Sequence, residues 1–150
     1  MKKVLLAVFM IVACNSLFAQ AKNPVSWTYR AVKKGSGMYE LVMTATVEKP
    51  WHIYSQNTGS GGPVPTNFTF RTNPLLVFQG KAKETGKLVK VYDNNFKTNV
   101  LYYSDKVVFT QTVKLKGNAK TNVSGTVEYM VCDDEQCLPP TKKSFDISLQ

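Results

Sequence analysis

Histidine occurs once in this sequence and cysteine three times. That scarcity weighs against a structural metal centre, because zinc takes four ligands, usually Cys and His. A carboxylate could complete a set around His52, Cys132 and Cys137, but the paired ligand spacing is missing. No metal and no cofactor are expected. Beyond the first twenty residues, helical periodicity is missing as well. No apolar run approaches the roughly 20 residues that a membrane-spanning helix requires. Internal repeats, low-complexity tracts and a second domain are lacking too. Acidic residues are few, with 10 Asp and Glu against 19 Lys and Arg, giving a formal net charge of +9.

The longest apolar run, Val4 to Ala13, follows Lys2 and Lys3 and leads to small residues ending in Leu17-Phe18-Ala19. A charged start, a short apolar stretch and a small residue before the cut are the marks of a secretory signal. The expected signal is 1–19 and the expected domain is 20–150, exported to the periplasm or cell envelope. A second reading takes Ile11-Val12-Ala13-Cys14 as a lipoprotein site with lipid on Cys14. Cleavage after Ala19 would remove Lys2, Lys3 and Cys14, lowering the net charge from +9 to +7 and leaving two cysteines. The remaining lysines are scattered over turns and strand ends, with no recognition-helix pattern, so nucleic acid is not an expected partner.

Period-two alternation fills the rest of the chain, which is the mark of half-buried strands. "VSWTYRAV" sets Val25, Trp27, Tyr29 and Ala31 on one face. "MYELVMTATV" does the same with Tyr39, Leu41, Met43, Ala45 and Val47. Between them, Lys34-Gly35-Ser36-Gly37 reads as a hairpin turn. Phe68 and Phe70 alternate after Pro65. Val107, Phe109, Val113 and Leu115 share a face, as do Val127, Tyr129 and Val131, and Phe145, Ile147 and Leu149. Seven or more short strands at this spacing predict an all-β, two-sheet, immunoglobulin-like sandwich. Ser55 to Pro65 is expected as a long surface loop. Val91 to Tyr103 resists the strand pattern and holds Phe96 beside the turn signal Asp93-Asn94-Asn95.

Cys132 and Cys137 stand in "VCDDEQCLPP". As a staple the pair is weak: closing a six-residue loop contributes roughly 2 kcal/mol, against nearly 5 for a loop of about 100 residues. About 130 residues also bury an adequate core unaided. An extended five-residue separation spans about 17 Å, whereas a disulfide needs Cα atoms within about 7 Å. The segment Asp133 to Gln136 must therefore fold back. Asp133, Asp134 and Glu135 disfavour thiolates beside them, which suits thiols that react only when a partner docks. On the residues alone, redox exchange and a passive cystine both stand.

"VEYMVCDDEQCLPPTKKSFDISL" resembles the end of the N-terminal periplasmic domain of the thiol:disulfide interchange protein DsbD. "KPWHIYSQN", "GPVPTNFTF" and "YDNNFKTNVLYY" are similar to other segments of that family. The likeness extends over roughly Val25 to Leu149. It implies an immunoglobulin-like domain with a redox-active Cys132–Cys137 disulfide. Cys137 would attack a partner's disulfide and Cys132 would resolve the mixed disulfide. Phe96 would match a cap residue over the cystine, Tyr54 a nearby family tyrosine, and Asp93 and Asn94 the acidic positions of the cap loop. The expected partners are exported thioredoxin-fold proteins. A membrane domain and a thioredoxin-like domain are missing from the sequence, so a separate membrane electron donor is implied, with the domain itself monomeric. Whether it acts as an enzyme is left open. The contrasting reading is a non-catalytic envelope binding sandwich whose cystine only braces a loop. His52 falls where an aromatic residue is common in the family and reads as a packing residue rather than a proton shuttle.

Overall fold

The computed structural model describes residues 23–149, so the signal and Cys14 readings lie outside the described residues. Those residues form eleven strands and no helix. In order they are β1 (Val25–Gly35), β2 (Met38–Val47), β3 (His52–Tyr54), β4 (Asn67–Phe70), β5 (Leu76–Gly86), β6 (Val89–Asp93), β7 (Thr98–Tyr103), β8 (Lys106–Leu115), β9 (Thr121–Tyr129), β10 (Val131–Cys132) and β11 (Thr141–Leu149). Hydrogen bonding joins them into three antiparallel sheets ordered β1-β2-β8-β5, β11-β9-β4 and β10-β3-β7-β6. The fold is the expected all-β, immunoglobulin-like sandwich.

Alternation places the core as the sequence implies. Across β2 and β8, Tyr39 faces Val113, Met43 faces Phe109 and Ala45 faces Val107, all buried. The opposite layer supplies Val123, Val127 and Tyr129 from β9 and Phe145, Ile147 and Leu149 from β11. Aromatic rings lock the two layers together. Trp27 of β1 meets Phe68 of β4 edge-on at 5.8 Å and Tyr129 of β9 at 5.5 Å, while Phe68 meets Phe109 of β8 at 5.0 Å. Each large side chain buried this way contributes about 1.5–3 kcal/mol.

Gln111 breaks the apolar pattern of β8, yet only 2% of it is exposed. It faces Leu41, and its amide donates to the carbonyls of Gln79 and Gly80. Those carbonyls sit where β5 slips register between Gln79 and Lys83, with Gly80 at positive φ. A buried amide thus satisfies carbonyls that the irregular ladder would leave unpaired.

β5, which the sequence reading did not single out, lacks clean alternation because of this irregularity and its run of charged and polar residues. Two expectations needed sharpening. Val91 to Tyr103 is mostly the β6–β7 hairpin rather than irregular chain. The Ser55–Pro65 segment is a loop, but a pinned one. Ser55 and Thr58 are buried, the Ser55 hydroxyl donates to Glu84, and the Leu101 amide donates to Thr58 Oγ1 at 3.1 Å.

Gly125 faces Phe145 across β9 and β11, and a Cβ there would lie 2.5 Å from the Thr69 carbonyl oxygen and 2.6 Å from the Phe145 ring. Gly125→Ala should therefore cost about 1–3 kcal/mol by overpacking. Gly59→Ala, where a Cβ meets nothing within 4 Å, should stay within about 0.5 kcal/mol. Denaturant unfolding of the two variants checks the contrast, and equal stabilities would refute the close approach.

Candidate functional site

The third sheet has two working faces. Ile53 of β3, Tyr103 of β7 and Val131 of β10 point into the sandwich core. The alternate residues Tyr54, Val100 and Cys132 form a separate buried cluster, with Phe96, Tyr102 and Met130 packed against it. The pinned loop runs over this second face. The Val64 amide donates to Met130 Sδ, and the Thr66 hydroxyl donates to the Tyr54 carbonyl at 2.6 Å.

Cys132 and Cys137 are joined as a disulfide with their Cα atoms 4.0 Å apart. The closeness follows from the hairpin that carries them. The Leu138 amide donates to the Val131 carbonyl and the Asp133 amide to the Gln136 carbonyl, each at 2.9 Å. The two cysteines between those bonds are opposite each other, a non-hydrogen-bonded pair, the close class in antiparallel ladders at about 4.5 Å. Asp133 closes the turn, its Oδ1 accepting from the amides of Glu135 at 2.9 Å and Gln136 at 2.8 Å. One of the three acids thus builds the turn, while Asp134 and Glu135 are exposed at its tip. The two cysteines differ sharply in exposure: Cys132 is 2% exposed, whereas Cys137 is exposed.

The β6–β7 hairpin repeats the same device. Asp93 Oδ1 accepts from the amides of Asn95 at 2.8 Å and Phe96 at 3.1 Å. The turn so held delivers the Phe96 ring to the second cluster, edge-on to Tyr54 with centroids 6.4 Å apart. Asp93 therefore positions Phe96, and Asn94 is exposed at the turn tip. Cys132, Tyr54 and Phe96 share one cluster, Asp93 holds the turn that brings Phe96 there, and Cys137 and Asn94 are exposed.

His52, expected as a packing residue, packs against the ring of Tyr102. The register of β3 and β10 sets it directly opposite Cys132. Its Nε2 lies 3.2 Å from the Tyr54 hydroxyl, and its ring lies on Tyr102 with centroids 4.2 Å apart. The His-x-Tyr spacing was the available signal, since it puts both side chains on one strand face. Burial lowers the His52 pKa from 6.5, against an opposing pull from Asp134, Asp93 and Asp133. Burial, then Asp93 and Tyr102, push the Tyr54 hydroxyl far above the usual phenol range, so it stays protonated.

An exposed cysteine bonded to a buried one, at the rim of a sandwich whose core is complete without them, is an arrangement that suits thiol–disulfide interchange. Residues 24–149 match the family described as thiol:disulfide interchange protein DsbD, N-terminal, and the chain belongs to that family. Among solved structures, the N-terminal domain of DsbD from Neisseria meningitidis, in its reduced form, is 18% identical with a TM-score of 0.56, over 83% of this chain and 85% of that one. The N-terminal periplasmic domain of ScsB from Proteus mirabilis is 17% identical with a TM-score of 0.55, over 81% of this chain and 44% of that one. At such identities the likeness is one of fold. No curated protein matches the sequence.

The His52 shift carries a sign. Its folded pKa lies below 6.5, so just below that pH the unfolded chain binds the proton first, and stability falls as pH falls through this window. Unfolding free energies of the native protein and His52→Phe, compared from about pH 8 down to about pH 5, should show the native protein losing ground to the variant. A difference that stays constant with pH would refute the burial of a neutral imidazole.

Proposed function

We propose that this domain is exported to the periplasm and shuttles reducing equivalents through Cys132–Cys137 to thioredoxin-fold proteins. The observation that carries this reading is the unequal exposure of the two cysteines, with Cys137 exposed and Cys132 buried. Electrons arrive from a separate membrane protein, which leaves the pair as a dithiol. Cys137, as thiolate, then attacks one sulfur of the partner's disulfide, and a mixed disulfide forms as the partner's other sulfur leaves. Cys132 attacks Cys137, the interprotein bond breaks, and the partner departs as a dithiol while Cys132–Cys137 re-forms. Two electrons have moved to the partner, and no cofactor takes part.

The acids around the pair support selectivity. Negative charge near a thiol raises its pKa and lowers its thiolate fraction. A docked partner that covers Asp133, Asp134 and Glu135 or supplies positive charge relieves that restraint. Phe96, held by Asp93, covers the buried sulfur's cluster and acts as the cap; Tyr54 forms the wall beside it.

Cys132→Ala should trap a covalent complex through Cys137 with an exported thioredoxin-fold protein, released by reductant and identified by mass spectrometry. Recovery of non-covalent partners only, together with a native cystine potential well below about −300 mV, would leave the pair as a structural brace. Phe96→Ala should speed reduction of the cystine by a small thiol by roughly tenfold, since exchange rates depend on access. An unchanged rate in stopped-flow measurements would remove Phe96 from the account.

A further inference from the structure

We infer that His52, oriented by the Tyr54 hydroxyl, is the base that takes the proton from Cys132 when that thiol resolves the mixed disulfide. This rests on the exchange reading above and assigns it a second chemical group. The problem it solves is set by burial. Cys132 must become a thiolate to attack Cys137, yet it is 2% exposed and sits among Tyr54, Val100, Phe96 and Met130. Apolar cover and nearby acids both hold a thiol in its protonated form. Bulk water has little access to that proton, so a neighbouring group must accept it.

The candidates are few. From the cysteine hairpin come Asp133 and Asp134, and from β6 comes Asp93, the three acids whose charge reaches His52. β3 itself supplies His52 and Tyr54, and β7 supplies Tyr102. Both aspartates that hold turns are committed: Asp133 and Asp93 each accept two backbone amides. Ordinary carboxylates, near pKa 4, are also badly matched to a thiol near 8.5, whereas an ordinary imidazole near 6.5 is closer, although burial lowers His52 below that value. A phenol stays protonated here and has no free base to offer. His52 is the neutral base in the right place. It is directly opposite Cys132 in the ladder, and facing residues of an antiparallel pair have Cβ atoms about 4.5–5.5 Å apart on the same face.

Tyr54 and Tyr102 fix the ring. In the tautomer that donates Nε2–H to the Tyr54 oxygen, 3.2 Å away, Nδ1 keeps its lone pair for the incoming proton. The Tyr102 ring against its face limits tilting. In the forward step the Cys132 proton passes to His52, and the thiolate attacks the Cys137 sulfur. The bond from Cys137 to the partner breaks, and the partner's sulfur leaves with the electron pair. His52 then releases its proton to that leaving thiolate or to solvent. In the reverse direction, protonated His52 returns a proton to Cys132 as the donor reduces the cystine. Asp93, Asp133 and Asp134 stabilise the transient imidazolium, which gives the acids a part in the chemistry.

The test separates the two steps with dithiodipyridine, a small disulfide that releases one chromophoric thiopyridone at each. Attack by Cys137 of the reduced domain gives the first release, and resolution by Cys132 gives the second. In the native protein the second phase should rise with pH through the imidazole titration and then level off. In His52→Phe, which keeps an aromatic ring against Tyr102, and in His52→Gln, which keeps a polar group beside Tyr54, the second phase should slow about a hundredfold at neutral pH. It should also climb only in the alkaline range where the thiol ionises. The first phase should change little, and a cooperative unfolding transition like that of the native protein reports an intact fold in either variant. Retention of the native rate and pH profile by either variant would overturn the base assignment while leaving exchange intact. A native protein that shows no second release would overturn the exchange reading itself.

Discussion

Strand parity is the constraint on which the site depends. From Thr121 to Cys132 the chain runs almost unbroken through β9 and β10. Val123, Val127, Tyr129 and Val131 all face the core. Cys132 is the next residue and must face the other way, because successive side chains on a strand point to opposite sides. A cystine anchored one residue earlier would be sealed inside the sandwich. The return strand carries a second adjustment. Cys137 pairs with Cys132 and Thr141 pairs with Tyr129, so four steps on the return side match three on the outgoing side. The extra residue falls at Pro139-Pro140, which have no amide donors to lose. The bulge lets odd-numbered Cys137 share the outer face with Cys132 while odd-numbered Phe145, Ile147 and Leu149 face the core. The two prolines behind the second cysteine thus reconcile the register of the active face with that of the core.

Charge is distributed by the same economy of parts. Two aspartates, Asp93 and Asp133, each spend one carboxylate oxygen on a pair of backbone amides. These bonds hold two turns, one bearing Phe96 and one closing the cysteine hairpin. Their negative charge then falls on the space between the turns, where His52, Tyr54 and Cys132 are gathered. The field works against a thiolate and in favour of an imidazolium, while burial works against both. Burial wins at His52, whose pKa is lowered despite three acids. A neutral imidazole beside a protonated phenol is what a site needs if it is to accept a proton rather than hold a charge.

Much of the framework was legible because it is local. β1, β2, β8, β9 and β11 show clean alternation, and each of their inward residues packs where the period places it. β5 was not legible, since its Lys-rich sequence and the slip at Gly80 hide the period, and its place depends on a Gln111 amide from another strand. The β6–β7 hairpin was masked by its polar tip. At the site, the cysteines and Phe96 announced themselves by residue type and by family resemblance. The place of His52 opposite Cys132 did not, because it comes from the register between β3 and β10, strands separated by almost eighty residues of sequence. A three-residue strand carries too little pattern to fix such a pairing.

The unequal exposure of the two cysteines has a simple structural origin. Cys132 is flanked by β3 on one side and by its own hairpin partner on the other, and Phe96 and Tyr54 cover its face. Cys137 lies on the outer arm of the hairpin, just before the bulge, with no further strand beyond it in the third sheet. A protein partner approaching the rim therefore meets Cys137 first. Reaching Cys132 would require moving the Asp93 turn and the ring it holds. Cys132 is consequently the cysteine that its own hairpin partner meets directly, and the division of labour proposed above draws on that difference. The difference arises before any chemistry, from which arm of a two-strand ribbon happens to be flanked.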